Sequence, residues 1–187
     1  MLYKLNRQKA IDDFPILPLR YYDKKKDDYI FKNPKVFANY VLAVLAKSKK
    51  GYIKLMTTEL IKLIEVGGGD KLIFLGDLDI PWLKRLNTHA SFQEPLQYLI
   101  DNKIGKRFNG AIQVSIKELP VFIKHLTRLV SSNGILPYVH FTDPKQSFLG
   151  DFCQYDDLHL STMNKPVDKL FQQFICTSKF ELLNKEA

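Results

Sequence analysis

The chain has 187 residues, of which 45% are hydrophobic and 26% charged, proportions typical of a globular protein and unlike those of disordered, collagenous or coiled-coil chains. Its two cysteines, Cys153 and Cys176, are too few for a disulfide framework and lack the C-x-x-C spacing of a metal or redox site. The formal charge is +8, from 28 basic and 20 acidic residues, and this charge suits an acidic protein, nucleic acid or anionic lipid as a partner. The sequence contains neither a secretory h-region nor a membrane span, which predicts a cytoplasmic protein.

The N-terminal part of the chain predicts two strands and two helices. Residues 15–22 are expected to be extended, because their two prolines confine them to an edge or an irregular strand. Asn33 and Pro34 resemble the start of a helix, and apolar residues follow them at helical spacing until Gly51. Residues 52–56 then predict a short strand, and Thr57 or Thr58 is expected to cap a second helix.

A glycine triplet at residues 67–69 follows these elements. It is a poor phosphate-binding loop, because the glycines lead into an apolar strand and not into a Lys-Ser/Thr pair, so the triplet predicts a turn. It also marks the expected boundary between an N-terminal strand-helix-strand-helix unit, residues 1–66, and a body, residues 71–187. One compact domain is the alternative.

The body predicts a further alternation of strands and helices. Strands are expected at residues 72–76, 111–114 and 135–141, the last at an edge because it contains Pro137. Helices are expected to begin at Asp79–Pro81, at the capping-box sequence of residues 91–94, near Glu118 and at Pro166. Strands separated by helices predict an α/β fold with a mixed sheet covered by helices, and α+β is the alternative.

Six lysines without an intervening acid lie between Tyr29 and Thr58, and they are the expected electrostatic contact with a partner. They are Lys32, Lys35, Lys47, Lys49, Lys50 and Lys54. Aromatic residues lie among them, as a nucleic-acid interface requires, but Phe37 and Tyr40 fall on the apolar stripe of the expected helix and predict core positions. Nucleic acid is therefore the less favoured partner.

Asp156 and His159 are the strongest catalytic candidates. An Asp three residues before a His resembles the last block of the GDSL (SGNH) hydrolases, a resemblance that implies that Asp156 orients His159 as the general base. Those enzymes also need a serine in a Gly-Asp-Ser turn, and the matching place here is occupied by Leu78, after Gly76 and Asp77. The sequence thus favours a protein without catalytic residues, and the scattered histidines do not predict a metal site or a cofactor.

Residues 95–144 resemble the type VI secretion adaptor chaperones, the Tap or Tec proteins. The pattern of glycine, serine, leucine and histidine, followed by an Asp-Pro turn, consists of Gly110, Ser115, Leu119, His125, Leu126, Leu129, Gly134, Asp143 and Pro144. The resemblance implies that these residues hold one strand-helix-strand unit together and that the unit carries no catalytic group.

Residues 15–21, PILPLRY, together with the Gly51-Tyr52-Ile53 sequence, are similar to the opening segment of pore-forming effectors of the same secretion system. Both likenesses imply a non-enzymatic adaptor or chaperone, with an effector and a VgrG-like spike protein as partners. A degenerate or active hydrolase is the alternative function, and a basic nucleic-acid-binding protein is the third.

Overall fold

The computed structural model describes residues 2–83, 90–131, 136 and 138–186. Within these residues the chain forms ten strands and five helices, which alternate irregularly. In chain order they are β1 (Tyr3–Leu5), α1 (Arg7–Asp13), β2 (Leu19–Asp23), β3 (Asp28–Lys32), β4 (Ala38–Val44), α2 (Lys49–Val66), β5 (Lys71–Gly76), α3 (Ala90–Asp101), β6 (Ala111–Ser115), α4 (Leu119–Val130), β7 (Val139–Thr142), β8 (Phe148–Phe152), β9 (Leu158–Thr162), α5 (Lys165–Thr177) and β10 (Phe180–Glu186).

Eight of these strands form one sheet in the order β1-β6-β5-β7-β8-β9-β4-β10. Each of the described pairs in this sheet is antiparallel. β2 and β3 form a separate two-stranded hairpin. The α/β class predicted from the sequence, with helices that cover a sheet, is confirmed. The expected mixed sheet is antiparallel in each described pair, because no described helix connects two strands that run in the same direction side by side.

One face of the sheet carries the main hydrophobic core. Phe74, Phe141, Gly150, Leu160 and Tyr40 lie in register across five strands on this face. Buried apolar residues of α2, α3, α4 and α5 pack on it in one cluster, and we call it the helical face. Burying apolar surface on this scale supplies most of the driving force for the fold.

The opposite face is covered only in part by helical residues, and we call it the second face. Ala10 of α1 is fully buried there among Ile73, Leu75, Ala111 and Leu149. Leu17 and Leu19, from the segment of residues 15–22 that contains two prolines, also pack in this smaller core. This segment connects α1 to the β2–β3 hairpin.

Two elements of the N-terminal part differ from the prediction. The helix expected after Pro34 is strand β4, in which buried and half-buried residues alternate from Ala38 to Val44, as in a strand within a sheet. Gly51 does not end a helix but lies in the first turn of α2, where its N–H donates to the capping Ser48 hydroxyl at 3.1 Å. Residues 52–56, expected as a strand, continue this helix.

The expected capping role of Thr57 or Thr58 is also wrong. The Thr57 hydroxyl donates to the carbonyl oxygen of Ile53 at 2.7 Å, and Thr58 donates likewise to Lys54 at 2.8 Å. Both are back-bonds within a continuous helix. The triplet at residues 67–69 is the predicted turn, and Gly68 adopts a φ of +68° that favours glycine.

The body agrees more closely with the sequence. β5, β6, the start of α4 after Glu118, and α5 lie where they were predicted. β7 lies between β5 and β8, so it is a central strand and not the expected edge strand. Asp79–Pro81 do not begin a helix within the described residues. Gly134, Ile135 and Pro137 lie outside the described residues.

The boundary expected at the glycine triplet stays a prediction. β4, which precedes the triplet, pairs with β9 and β10, which follow it. The expected strand-helix-strand-helix order of residues 1–66 is replaced by the order β1, α1, β2, β3, β4, α2.

Candidate functional site

A row of ionisable side chains crosses the second face of the sheet. His140 of β7, Asp151 of β8 and His159 of β9 are aligned by strand register. The Nδ1 atom of His140 lies 3.5 Å from Oδ1 of Asp151. The His159 side chain forms no hydrogen bond or ion pair with a described residue. The row thus places two imidazoles on either side of one carboxylate on a partly open sheet surface.

An arginine–carboxylate pair lies next to this row, where β2 meets the end of β5. The Nε atom of Arg20 is 2.9 Å from Oδ2 of Asp77, and Nη2 donates to Oδ1 at 3.5 Å. The Arg20 backbone N–H also donates to the Asp77 carbonyl oxygen at 2.9 Å. Burial raises the pKa of Asp77, while the charges of Arg20 and His140 act in the opposite direction. These contacts fix the hairpin to the body of the protein.

The Arg7 side chain forms hydrogen bonds with backbone carbonyl groups at the same end of β5. Its Nη1 atom donates to the carbonyl oxygens of Gly76 at 3.0 Å and Asn109 at 3.2 Å, and Nη2 donates to that of Asp77 at 3.3 Å. Burial lowers the pKa of Arg7, and the carboxylates of Asp79 and Asp77 oppose this shift. The segment that Arg20 contacts is therefore held by two guanidinium groups.

Exposed aromatic rings surround Arg20. Its guanidinium carbon lies 5.2 Å from the ring centre of Tyr29, 5.8 Å from that of Phe31 and 5.2 Å from that of Tyr138, within the range of cation–π attraction. Tyr22 packs edge-on against Tyr29 at 5.4 Å. We call these five residues the aromatic–arginine surface. The exposed fractions of the Phe31 and Tyr138 side chains are 59% and 61%.

The structure does not bring the hydrolase candidates Asp156 and His159 together. Asp156 forms an ion pair of 3.0 Å with Lys49 at the start of α2, whereas His159 faces the opposite side of the sheet, beside Asp151. No hydrogen bond or ion pair joins these two described residues. Leu78 is hydrophobic and cannot supply a nucleophile. Asp156 and His159 therefore do not form the acid–histidine pair that the hydrolase resemblance implies.

The six lysines expected to contact a partner are all exposed, but they do not form one patch. Lys32 and Lys35 precede β4, and Lys47, Lys49, Lys50 and Lys54 follow it. Because β4 has seven residues, the two groups are separated by about 20 Å along the strand. In the second group Lys47 precedes α2 and the other three lie on its first half, where Lys49 is paired with Asp156.

Gly110 and Ser115, the signature residues at the two ends of β6, take part in close backbone packing and in hydrogen bonds. A Cβ atom on Gly110 would lie 2.0 Å from the carbonyl oxygen of Leu5, so β1 approaches β6 only because this residue is glycine. The Trp82 indole N–H donates to the Gly110 carbonyl oxygen at 2.8 Å. The Ser115 hydroxyl donates to Glu118 at 3.2 Å in the turn before α4.

The helix residues Leu119, Leu126 and Leu129 are buried in the main core. His125 is 5% exposed and stacks on Tyr98 with ring centres 4.4 Å apart. These helix residues of the signature thus pack α4 on the sheet.

The Asp-Pro part of the signature closes the turn between β7 and β8. The Asp143 carboxylate accepts from the backbone N–H groups of Ser147 at 2.6 Å and Lys145 at 3.2 Å. Pro144 is exposed at the tip of this turn. Both residues lie in the β7–β8 turn and not at the aromatic–arginine surface, so they stabilise the turn.

The aromatic–arginine surface was missed as a unit by sequence reasoning. Arg20 lies in the segment of residues 15–22 that contains two prolines, and Tyr29 and Phe31 are among the aromatic residues around the lysines. Their alternation in one short strand was the available signal, since residues two apart share a face. Tyr138 joins them only through the pairing of the strands.

The described residues contain no group of three or more His, Cys, Asp or Glu side chains arranged to hold a metal ion. No helix in the described ranges is both long enough and apolar enough to cross a membrane. Comparisons of the chain with protein-family models, with curated proteins and with solved structures find no match.

Proposed function

We propose that the protein is a non-enzymatic adaptor, or chaperone, that binds a type VI secretion effector and helps to load it on the spike protein. The observation that carries this proposal is the aromatic–arginine surface, which exposes four aromatic rings around one guanidinium group. The sequence likeness to adaptor chaperones supplies the class of partner. The separation of Asp156 from His159 disfavours the hydrolase alternative.

The composition of this surface supports a protein partner. Tyrosine and arginine are enriched among the residues that contribute most to binding energy, and they lie near the centre of interfaces. Arg20 is already stacked and paired with Asp77, so little side-chain freedom remains to be lost on binding. Single exposed aromatic residues are ordinary on protein surfaces, but a contiguous group of them marks an interaction site.

Of the six lysines first expected to contact the partner, the group at the start of α2 is retained in the proposal as a source of electrostatic steering. Lys47, just before α2, and Lys50 and Lys54 on it are exposed, and like-signed charge increases the rate of encounter with an acidic surface. Lys32, the last residue of β3, and Lys35, which follows it, add positive charge near the aromatic–arginine surface.

The proposal predicts that the double substitution Tyr29→Ser with Phe31→Ser weakens partner binding without unfolding the protein. Loss of an aromatic residue at the centre of an interface costs about 2 kcal/mol or more, which corresponds to roughly thirtyfold in Kd. Tagged wild-type and variant proteins are used to co-purify the effector and the spike protein from their host, and the affinities of the purified proteins are then measured by calorimetry. Tyr3→Ser is the matched control, because Tyr3 is 61% exposed on the far edge strand β1.

Two results would contradict the adaptor proposal. One is recovery of neither protein by the wild type. The other is retardation of random single-stranded RNA with an affinity that falls steeply between ~50 and ~200 mM salt, which is the behaviour of a nucleic-acid-binding protein.

A further inference from the structure

An apolar groove lies on the helical face, between the C-terminal end of α2 and the first turns of α5. It encloses about 280 Å³, and its apolar lining includes Leu63, Ile64, Val66, Val167, Leu170 and Phe171. We propose that this groove is a second docking site, which accepts one large apolar side chain from an acidic segment of a protein partner. The inference rests on the proposed function, because an adaptor that mounts one protein on another needs two separate surfaces.

Two polar side chains that line the groove, Asp143 and Thr162, are already hydrogen-bonded within the protein. The Asp143 carboxylate is bound by two backbone N–H groups. The Thr162 hydroxyl donates to Asp168 at 3.0 Å, and Tyr40 and Gln172 each donate to the same carboxylate at 2.5 Å. Because these oxygens and hydroxyls are engaged, the groove offers its occupant apolar contacts and not a set of free hydrogen-bonding groups. The occupant is therefore apolar.

The open side of the groove favours a protruding side chain over a free ligand. Sites for drug-sized molecules bury most of the ligand, whereas this groove is open on one side. Val66 and Leu170 at its mouth are 51% and 39% exposed. A protruding apolar residue of a partner would cover both and remove this apolar surface from water.

Charge at the mouth of the groove selects an acidic partner. Lys165 and Lys169 of α5 are exposed next to the lining residues and form no ion pair with a described residue. The Lys145 ammonium group lies at the α2 end, where it donates to the Gly67 carbonyl oxygen at 2.9 Å. Lys62, one turn before Val66, is paired with Glu59. Among the α2 residues at the mouth, Glu65 is the exposed acidic residue. Lys145, Lys165 and Lys169 outnumber it, so the rim is positive and complements glutamate or aspartate.

The groove and the aromatic–arginine surface lie on opposite faces of the sheet. Phe148, Thr162 and Phe171 at the groove belong to the helical face, whereas Arg20 and Tyr138 adjoin the second face. Two partners can therefore be bound at once without competing for the same residues.

The test uses two short fluorescein-labelled peptides and the full-length protein. One peptide has phenylalanine and leucine four residues apart among glutamates, and the other has lysine in place of each glutamate. We expect the acidic peptide to bind in fluorescence anisotropy titrations and Leu170→Glu to weaken its binding at least about tenfold. Leu182→Glu is the matched control, because Leu182 is 45% exposed on β10, outside the groove, and should leave binding unchanged. Lys165→Glu with Lys169→Glu should weaken binding and reduce its salt dependence.

Several outcomes would overturn the inference. These are no binding of the acidic peptide, equal binding of both peptides, or equal binding by wild type and Leu170→Glu. Sedimentation that shows a dimer which Leu170→Glu converts to a monomer would assign the groove to a second copy of the chain instead. The adaptor proposal is tested independently of the groove. The double variant Tyr29→Ser with Phe31→Ser should weaken effector binding and leave peptide binding unchanged.

Discussion

His125 is the buried titratable side chain of the signature helix α4. Its ring lies on Tyr98, and its Nδ1 atom forms no hydrogen bond with a described residue. Burial lowers the pKa of His125, with a further lowering by Lys124 that Glu94 opposes. The folded protein therefore favours the neutral imidazole more strongly than the unfolded chain does.

The sign of the resulting pH effect follows from proton linkage. Below the ordinary histidine pKa of 6.5, the unfolded chain takes up a proton that the folded protein does not, so the native state loses stability as the pH falls through this range. We predict that His125→Phe, which keeps a ring on Tyr98, reduces this acid-dependent loss.

The measurement is the free energy of unfolding of wild type and His125→Phe in urea, at pH 8 and at pH 5.5. Between pH 8 and pH 5.5 the free energy of unfolding should fall less for His125→Phe than for the wild type. His159→Gln, on the opposite face of the sheet, is the control. A pH dependence that is identical in wild type and His125→Phe would show that this imidazole is not responsible.

Helix α4 is the element whose role the sequence predicted best. Its apolar residues recur at helical spacing, and Leu119, Phe122, Ile123, Leu126 and Leu129 are all buried. We predict that Leu126→Ala lowers the free energy of unfolding by about 2 to 5 kcal/mol, since it leaves a cavity between the helix and the sheet. Denaturant unfolding measures the change. Val121→Ala is the matched control, because Val121 lies on the same helix and is 49% exposed, so its substitution should change stability by no more than about 0.5 kcal/mol.

A Leu126→Ala loss as small as that of the control would mean that the apolar stripe of α4 does not face the core. The assignment of the signature residues to packing would then be wrong.

The sequence predicted α4 and failed for β4 for a physical reason. In α4 the large apolar residues recur at helical spacing on the buried side, so the helical period is visible. In β4 the half-buried positions between the core residues hold Val41 and Ala43, because the second face is itself partly covered. Apolar residues on both faces hide the alternation of a strand, and the spacing of Tyr40, Val41 and Val44 then fits a helix equally well.

The candidate site was less predictable than the fold, because its members come from separate parts of the chain. Arg20, Tyr29 and Phe31 meet through the β2–β3 pairing, and Tyr138 meets them only through the end of β7. The register that aligns His140, Asp151 and His159 likewise depends on three strands. Local patterns carry no information about such pairings, so residue types alone did not group these side chains.

At the scale of the whole molecule, the arrangement predicts a protein without esterase activity. In the sequence that resembles a hydrolase turn, the Asp77 carboxylate is engaged by Arg20 and Leu78 has no nucleophilic atom. We expect neither turnover of short-chain nitrophenyl esters nor labelling by a serine-directed fluorophosphonate probe, with a known serine esterase as the positive control. Turnover or labelling that disappears in His159→Ala would instead favour the hydrolase.

The position of β4 between β9 and β10 has a consequence for how the chain reaches its folded state. Tyr40 and its buried hydrogen-bond partner Asp168 are 128 residues apart, and both sheet neighbours of β4 are synthesised well after β4 itself. Until then Leu42 and Val44, buried in the finished protein, have no strand beside them. Pairing over such separations slows folding, and an unpaired apolar strand invites association with other chains. We therefore expect β4 of the nascent chain to be exposed to association with other chains until β9 and β10 have been synthesised.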